Sequence, residues 1–121
     1  MMRALLVVAH GSRRAASNDE VRQLTDSLRA AAGDEYAQVD CAFLELARPS
    51  IPDGIDCCIA EGATEVVILP YFLSAGRHVA KDIPEIVAES QSRHPTVSLH
   101  IAPYLGQASS LVTSLLDLSK K

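Results

Sequence analysis

Two unbroken apolar runs constrain this chain most: Ala4-Leu5-Leu6-Val7-Val8-Ala9 and Val66-Val67-Ile68-Leu69. A strand wetted on one face alternates apolar and polar residues. A run with no polar phase reads as a parallel strand covered on both faces. Two other segments do alternate. Val39, Cys41 and Phe43 stand against Asp40 and Ala42, and Val97, Leu99 and Ile101 stand against Ser98 and His100. These are predicted to be edge strands with one wetter face, which puts the continuous runs at the centre of a sheet.

Helical patterns separate the strands. Ser17-Asn18-Asp19-Glu20 reads as a capping box, opening a helix with Val21, Leu24 and Leu28 on one face. Ser50-x-x-Asp53 opens a second helix, with Ile51, Ile55, Cys58 and Ile59 inward and Gly62 as its stop. Asp82-x-x-Glu85 opens a third, with Ile83, Ile86 and Val87 inward and Pro84 in the first turn, where a missing N–H is tolerated. A last helix over about 108–118 carries Leu111, Val112, Leu115, Leu116 and Leu118. That is more than a narrow stripe, so some apolar surface is expected to remain for a partner.

Strand and helix in alternation, with right-handed crossovers, give an α/β fold. The expected architecture is a four-stranded parallel sheet of order 2-1-3-4 with helices on both faces, in a single domain over residues 1–121. The winding direction reverses between strands one and three. Ligands of such sheets bind outside the carboxyl ends at that switch point.

Composition narrows the function classes. Eleven Lys and Arg against fifteen Asp and Glu give a net charge of −4, which argues against a nucleic-acid partner. The run from Ala4 to Ala9 is too short for a membrane span or a secretory core. Three cysteines, two of them the neighbours Cys57 and Cys58, form neither a disulfide framework nor a C-x-x-C metal site. The reading is a reducing cytoplasm.

Strand one runs directly into His10-Gly11-Ser12-Arg13-Arg14. Strand three ends at Pro70 and continues into Tyr71-Phe72-Leu73-Ser74-Ala75-Gly76-Arg77-His78-Val79. His10 and His78 thus fall on the two loops flanking the crevice. A neutral imidazole serves either as a metal ligand or as a general base near neutral pH. His94, before Pro95 at a helix end, reads as structural, and His100 as exposed on its edge strand. Arg13, Arg14, Arg48, Arg77 and Lys81 come from loops at the same end, a local basic patch suited to a polyanion. Glu45 follows strand two there and could move protons or orient a histidine. Other functions housed by such sheets do not fit. Ala9-His10 and Leu69-Pro70 occupy the acidic positions of a response regulator, and no phosphate-binding glycine motif occurs.

Three stretches, in order, carry a specific resemblance: Leu6-Val7-Val8-Ala9-His10-Gly11-Ser12-Arg13; Phe43-Leu44-Glu45 with Pro49-Ser50-Ile51-Pro52; and Leu69 through Val79 with Asp82-Ile83-Pro84. They resemble the CbiX-type sirohydrochlorin chelatases, the short form of the class II tetrapyrrole metal chelatases. The resemblance implies a flavodoxin-like half-domain that inserts a divalent metal, typically Co²⁺, into sirohydrochlorin for cobalamin synthesis without ATP. Relatives use Fe²⁺ or Ni²⁺. It implies His10 as proton acceptor and metal contact, and His78 as the second metal contact. Leu73, Ser74, Ala75, Gly76, Arg77 and His78 become the substrate-contacting stretch, Arg48 a further substrate contact, and Glu45 a catalytic carboxylate. The metal is a substrate, and no permanently bound cofactor is implied.

The implied chemistry agrees with the residues. Sirohydrochlorin is ringed by carboxylates, which accounts for a basic rim on an acidic chain. Metallation needs a base for the pyrrolic N–H protons and a transient, open metal site rather than a closed thiolate cage. Two other classes remain to be separated. Histidine phosphatases also place His-Gly after strand one, but they want Arg where this chain has Ala9. A non-catalytic metal or tetrapyrrole carrier would bind the same ligands without accelerating metallation. The macrocycle is broad beside a domain whose radius of gyration should be ~13–14 Å. One crevice therefore supplies one wall. Longer class II chelatases resemble two such halves in one chain, which implies a homodimer here.

Overall fold

Every residue from Ala4 to Ala9 is buried, as an unbroken apolar strand requires. The structure is a computed structural model that describes residues 2–121. Its elements are β1 (Arg3–Ala9), α1 (Ala15–Ala32), β2 (Gln38–Phe43), α2 (Ile51–Ala60), β3 (Glu65–Pro70), α3 (Ile83–Arg93), β4 (Ser98–Ile101) and α4 (Ser110–Ser119). A π turn, His78–Asp82, leads into α3, and a 3-10 turn, Leu105–Gln107, precedes α4. The sheet is parallel throughout, in the expected order β2-β1-β3-β4. Among the described residues, no helix is long and apolar enough to cross a membrane.

The alternation of side chains along the central strands divides the core in two. Ala4, Leu6, Val8, Val66 and Ile68 pack on one face against Ile51, Ile55 and Cys58 of α2 and Ile83 and Val87 of α3. Leu5, Val39 and Val67 face the other way, against Leu28 and Ala32 of α1, and Val21 joins Ala9 and Phe43 nearby. Burial pushes the Cys58 thiol up to about 12, so it stays neutral as a small apolar core group. Ser50 caps α2 as expected, accepting from the Asp53 N–H at 3.2 Å. His94 bonds Asp56 through Nε2 at 2.9 Å, tying α3 to α2, and His100 is exposed.

Three expectations need correction. Ser17-Asn18-Asp19-Glu20 does not cap α1. That helix begins at Ala15 behind an extended Arg14, with no side-chain cap. Asn18 lies inside it, buried, and spends its amide on Ser12 instead: it accepts from the Ser12 N–H at 3.0 Å and donates to the Ser12 carbonyl at 2.8 Å. Asp82 does not cap α3 either. Its backbone is already helical because the π turn runs continuously into α3, so no orphan N–H faces it. Ala42, assigned to a wetter face of β2, is fully buried. Here α2 approaches through Gly54, where a Cβ would lie 3.0 Å from the Ala42 Cβ, so both faces of β2 are covered at its carboxyl end. The last helix does leave apolar surface uncovered, as expected: α4 buries none of its residues. Val112, Leu115, Leu116 and Leu118 are each more than half exposed, and its main contact is the 3-10 turn rather than β4.

Candidate functional site

Parallel strands all end on one rim, and the ladder runs on past their ends. The Leu44 N–H donates to the Ala9 carbonyl at 2.9 Å, and the Glu45 N–H to the His10 carbonyl at 3.1 Å. On the other side of β1, the Tyr71 N–H donates to the Val8 carbonyl at 2.8 Å. These bonds set the backbones of His10 and Glu45 side by side. Gly11 permits the crossing. Its φ is +92°, and a Cβ there would stand 1.7 Å from the Glu45 carbonyl oxygen, so only glycine fits.

The side chains meet accordingly. His10 Nε2 lies 3.3 Å from Glu45 Oε2, and His10 Nδ1 lies 3.0 Å from the Gly11 carbonyl oxygen. The His10 and His78 ring centroids are 4.8 Å apart, with the planes tilted by 57°. His78 Nδ1 is 2.8 Å from Asp82 Oδ2. Both imidazole side chains are 44% exposed, so the pair stands on an open wall with water access. The surroundings of His10 have a chemical consequence. Both of its neighbours accept hydrogen bonds, so a doubly protonated ring satisfies both. A singly protonated ring with its proton on Nδ1 turns a lone pair toward the Glu45 carboxylate, and a metal cation between them would satisfy both acceptors.

The sequence-derived residues are placed as follows. His10, His78 and Glu45 come together. Leu73, Ser74, Ala75, Gly76 and Arg77 lie exposed on the loop that carries His78. That loop is clamped from below: the Gly106 N–H donates to the Phe72 carbonyl at 3.0 Å, and a Cβ on Gly106 would fall 1.9 Å from the Leu73 carbonyl oxygen. Arg48 is exposed on the β2–α2 loop, with its carbonyl accepting from Arg22 at 3.3 Å. Among the described residues, none of Arg13, Arg14, Arg48, Arg77 and Lys81 takes part in an ion pair. The basic loops are therefore available to an external anion.

Sequence reasoning missed two kinds of residue. Asp82 was assigned to a cap, although its i,i+4 spacing from His78 already put both side chains on one face. The apolar rim was also missed: Leu46, Tyr71 and Leu73 are exposed on the same loops. Leu46 has φ of 66°, a left-handed conformation of a kind that costs a non-glycine residue about 1–3 kcal/mol. No periodicity marks such a residue. Among the described residues, no group of three or more His, Cys, Asp and Glu side chains is arranged to hold a metal. Two imidazoles alone would leave most coordination positions of a bound metal open. A wider recess lies away from this site, along the β2 edge between Arg22, Arg29, Asp40, Cys57 and Glu61, and brings no histidine near it.

The chain was compared with known proteins. A family model described as CbiX matches residues 4–121. The Arabidopsis thaliana chloroplastic sirohydrochlorin ferrochelatase is 37% identical over 102 residues, covering 84% of this chain and 44% of that protein. The Methanococcus aeolicus sirohydrochlorin cobaltochelatase is 36% identical over 86 residues, covering 71% of this chain and 59% of that protein. A crystal structure of the sirohydrochlorin chelatase SirB from Bacillus subtilis subspecies spizizenii, in complex with cobalt, superposes with a TM-score of 0.88 at 30% identity. The superposition covers 99% of this chain and 50% of that one. This chain thus spans about half the length of these three proteins.

The contact at Gly11 gives a first prediction. Gly11→Ala should lower stability by at least about 1–3 kcal/mol, because it adds left-handed strain to a steric clash with Glu45. Urea unfolding followed by circular dichroism measures this, and an unchanged midpoint would contradict the close crossing of the two loops.

Proposed function

The chain belongs to the CbiX family, and from that premise we propose that it inserts a divalent metal into sirohydrochlorin. The observation carrying this reading is the facing pair His10 and His78 at the carboxyl rim, each ring with its own carboxylate. Cobalt is the metal we assign. A relative named for iron makes iron its competitor, and imidazole donors do not discriminate, since intrinsic affinity rises on toward copper.

In the proposed reaction His78 and His10 hold the incoming metal. The macrocycle lies against the apolar side chains of Leu46, Tyr71 and Leu73 and the loop from Leu73 to His78. Arg48 and Arg77 take its carboxylates. As the metal passes into the macrocycle it leaves His10, whose freed Nε2 takes each pyrrolic N–H proton and passes it to Glu45, which is exposed and returns it to water. The metal departs in the product, so His10 and His78 are free for the next ion.

We further read residues 1–121 as one chelatase domain that acts in the cytoplasm as a homodimer. A single open wall cannot enclose a macrocycle. The chain matches nearly all of itself to half of SirB, and α4 leaves four large apolar side chains uncovered. These three observations support a second copy facing the first. The free thiols Cys41, Cys57 and Cys58 accord with a reducing compartment.

Three measurements test this reading. Anaerobic absorbance assays with sirohydrochlorin and Co²⁺, Fe²⁺ or Ni²⁺ should show metallation above the spontaneous rate, fastest with Co²⁺. His10→Ala should lower the rate by about 10²–10⁴-fold while the fold persists. Acidification should slow the wild type, because a protonated imidazole neither ligates nor accepts a proton. A His10→Ala variant at full rate would remove its catalytic role, and a rate equal to the spontaneous one in the wild type would leave a carrier. Arg48→Ala and Arg77→Ala should each raise KM for sirohydrochlorin roughly two- to fivefold with kcat nearly unchanged, and added salt should mimic them. Unchanged KM in both would contradict the carboxylate contacts. Light scattering should give twice the 13.0 kDa chain mass for the active species, and a single-chain mass would exclude the dimer.

A further inference from the structure

The two imidazoles of the site are not equivalent, and the difference lies in what holds each ring. His10 has both nitrogens engaged, Nδ1 with the Gly11 carbonyl and Nε2 with Glu45. His78 has one engaged: Nδ1 meets Asp82 Oδ2 at 2.8 Å, and among the described residues no hydrogen bond involves its Nε2. The carboxylate carries no proton to give, so the hydrogen in the Nδ1–Asp82 bond belongs to the ring. A neutral His78 is therefore held as the Nδ1–H tautomer, with its lone pair on Nε2.

The local backbone supports the contact. His78 and Asp82 are the first and last residues of the π turn, which the Ile83 N–H closes onto the His78 carbonyl. Single π turns inside helices accompany functional sites. Asp82 is less exposed than His78, at 29% against 44%. Pro84 follows in the first turn of α3, and Ile83 is fully buried, anchoring Asp82 from its carboxyl side.

We infer that Asp82 is a positioning residue that fixes His78 with Nε2 unprotonated, making His78 the ring that keeps hold of the divalent metal while His10, once the metal leaves it, takes protons with Glu45. This rests on the chelatase reading for its purpose, but the tautomer and the metal affinity do not depend on catalysis. A carboxylate behind a ligating imidazole holds the ring and raises its basicity as a ligand, and losing it typically weakens metal binding by 10–100-fold.

The test uses the full chain, Co²⁺ alone and then Co²⁺ with sirohydrochlorin. Long-range ¹⁵N–¹H spectra report the tautomer of each histidine, with His78→Ala assigning the signal. Wild type should show His78 protonated at Nδ1. Asp82→Ala should move that proton toward Nε2 and weaken Co²⁺ binding about 10–100-fold. Asp82→Asn still offers an oxygen to Nδ1–H, so it should keep the tautomer and recover part of the affinity. In the His78→Ala background, Asp82→Ala should have no further effect on Co²⁺ binding, since a merely structural loss would add to the first. In turnover, Asp82→Ala should raise the KM for metal more than it lowers kcat. An unchanged His78 tautomer in Asp82→Ala, or additive losses in the double variant, would overturn the assignment. If the tautomer and affinity shift as described while the wild type shows no metallation, the chelatase reading fails and the positioning role stands.

Discussion

Parallel pairing of β1 with β3 is the constraint on which the site depends. The register runs from Arg3 opposite Glu65 to Val8 opposite Pro70, so both strands reach the same rim within a residue of one another. An antiparallel pairing would have sent His10 and the loop carrying His78 to opposite ends of the sheet. The pairing itself follows from burial. Leu6, Val8, Val66 and Ile68 are fully covered on one face, and Leu5 and Val67 nearly so on the other. Only strands with helices on both sides can bury apolar residues in both phases. The third member arrives through the same strand: β2 pairs with β1 up to Ala9 opposite Phe43, and Glu45 follows.

The site built on this rim is electrostatic more than enclosed. Two imidazoles face one another at 4.8 Å, each backed by a carboxylate. With the side chains close to half exposed, these pairs hold geometry more than they contribute stability. Their value lies in orientation: a ring whose one nitrogen is tied down presents the other in a known direction. The five loop cations form no internal ion pairs among the described residues. The chain can therefore be acidic overall and still present a basic rim, because its carboxylates lie elsewhere or are engaged with histidines. Leu46, Tyr71 and Leu73 add exposed apolar side chains on the same loops.

The clamp between Gly106 and the Phe72–Leu73 backbone links this surface to α4, the helix with no buried residue. A helix that leaves Val112, Leu115, Leu116 and Leu118 uncovered contributes little to the fold of its own chain. The segment between β4 and α4 does contribute: its 3-10 turn supports the loop that carries His78.

Much of the fold was legible in the residues. The polar gaps in Val39–Phe43 and Val97–Ile101, set against the unbroken runs at Ala4 and Val66, determine which strands are central. Chain order and crossover handedness then yield 2-1-3-4. The positions of His10, Glu45 and His78 at strand ends follow from that order, so their meeting was foreseeable. Local polar signals were less trustworthy. Ser17-Asn18-Asp19-Glu20 and Asp82 both look like caps in sequence, yet Asn18 spends its side chain on Ser12 and Asp82 on His78. A cap signature records only what a side chain can accept, and tertiary packing decides which donor reaches it first. Ala42 is buried for a like reason. A small residue carries no strong preference, and it was the close approach of α2 at Gly54 that covered it. Period and chain order are properties of the sequence by itself because they concern the whole apolar face of an element. The partner of a single hydrogen bond belongs to the folded structure, because it turns on ångström-scale distances that the final backbone path sets, even between residues four or six apart.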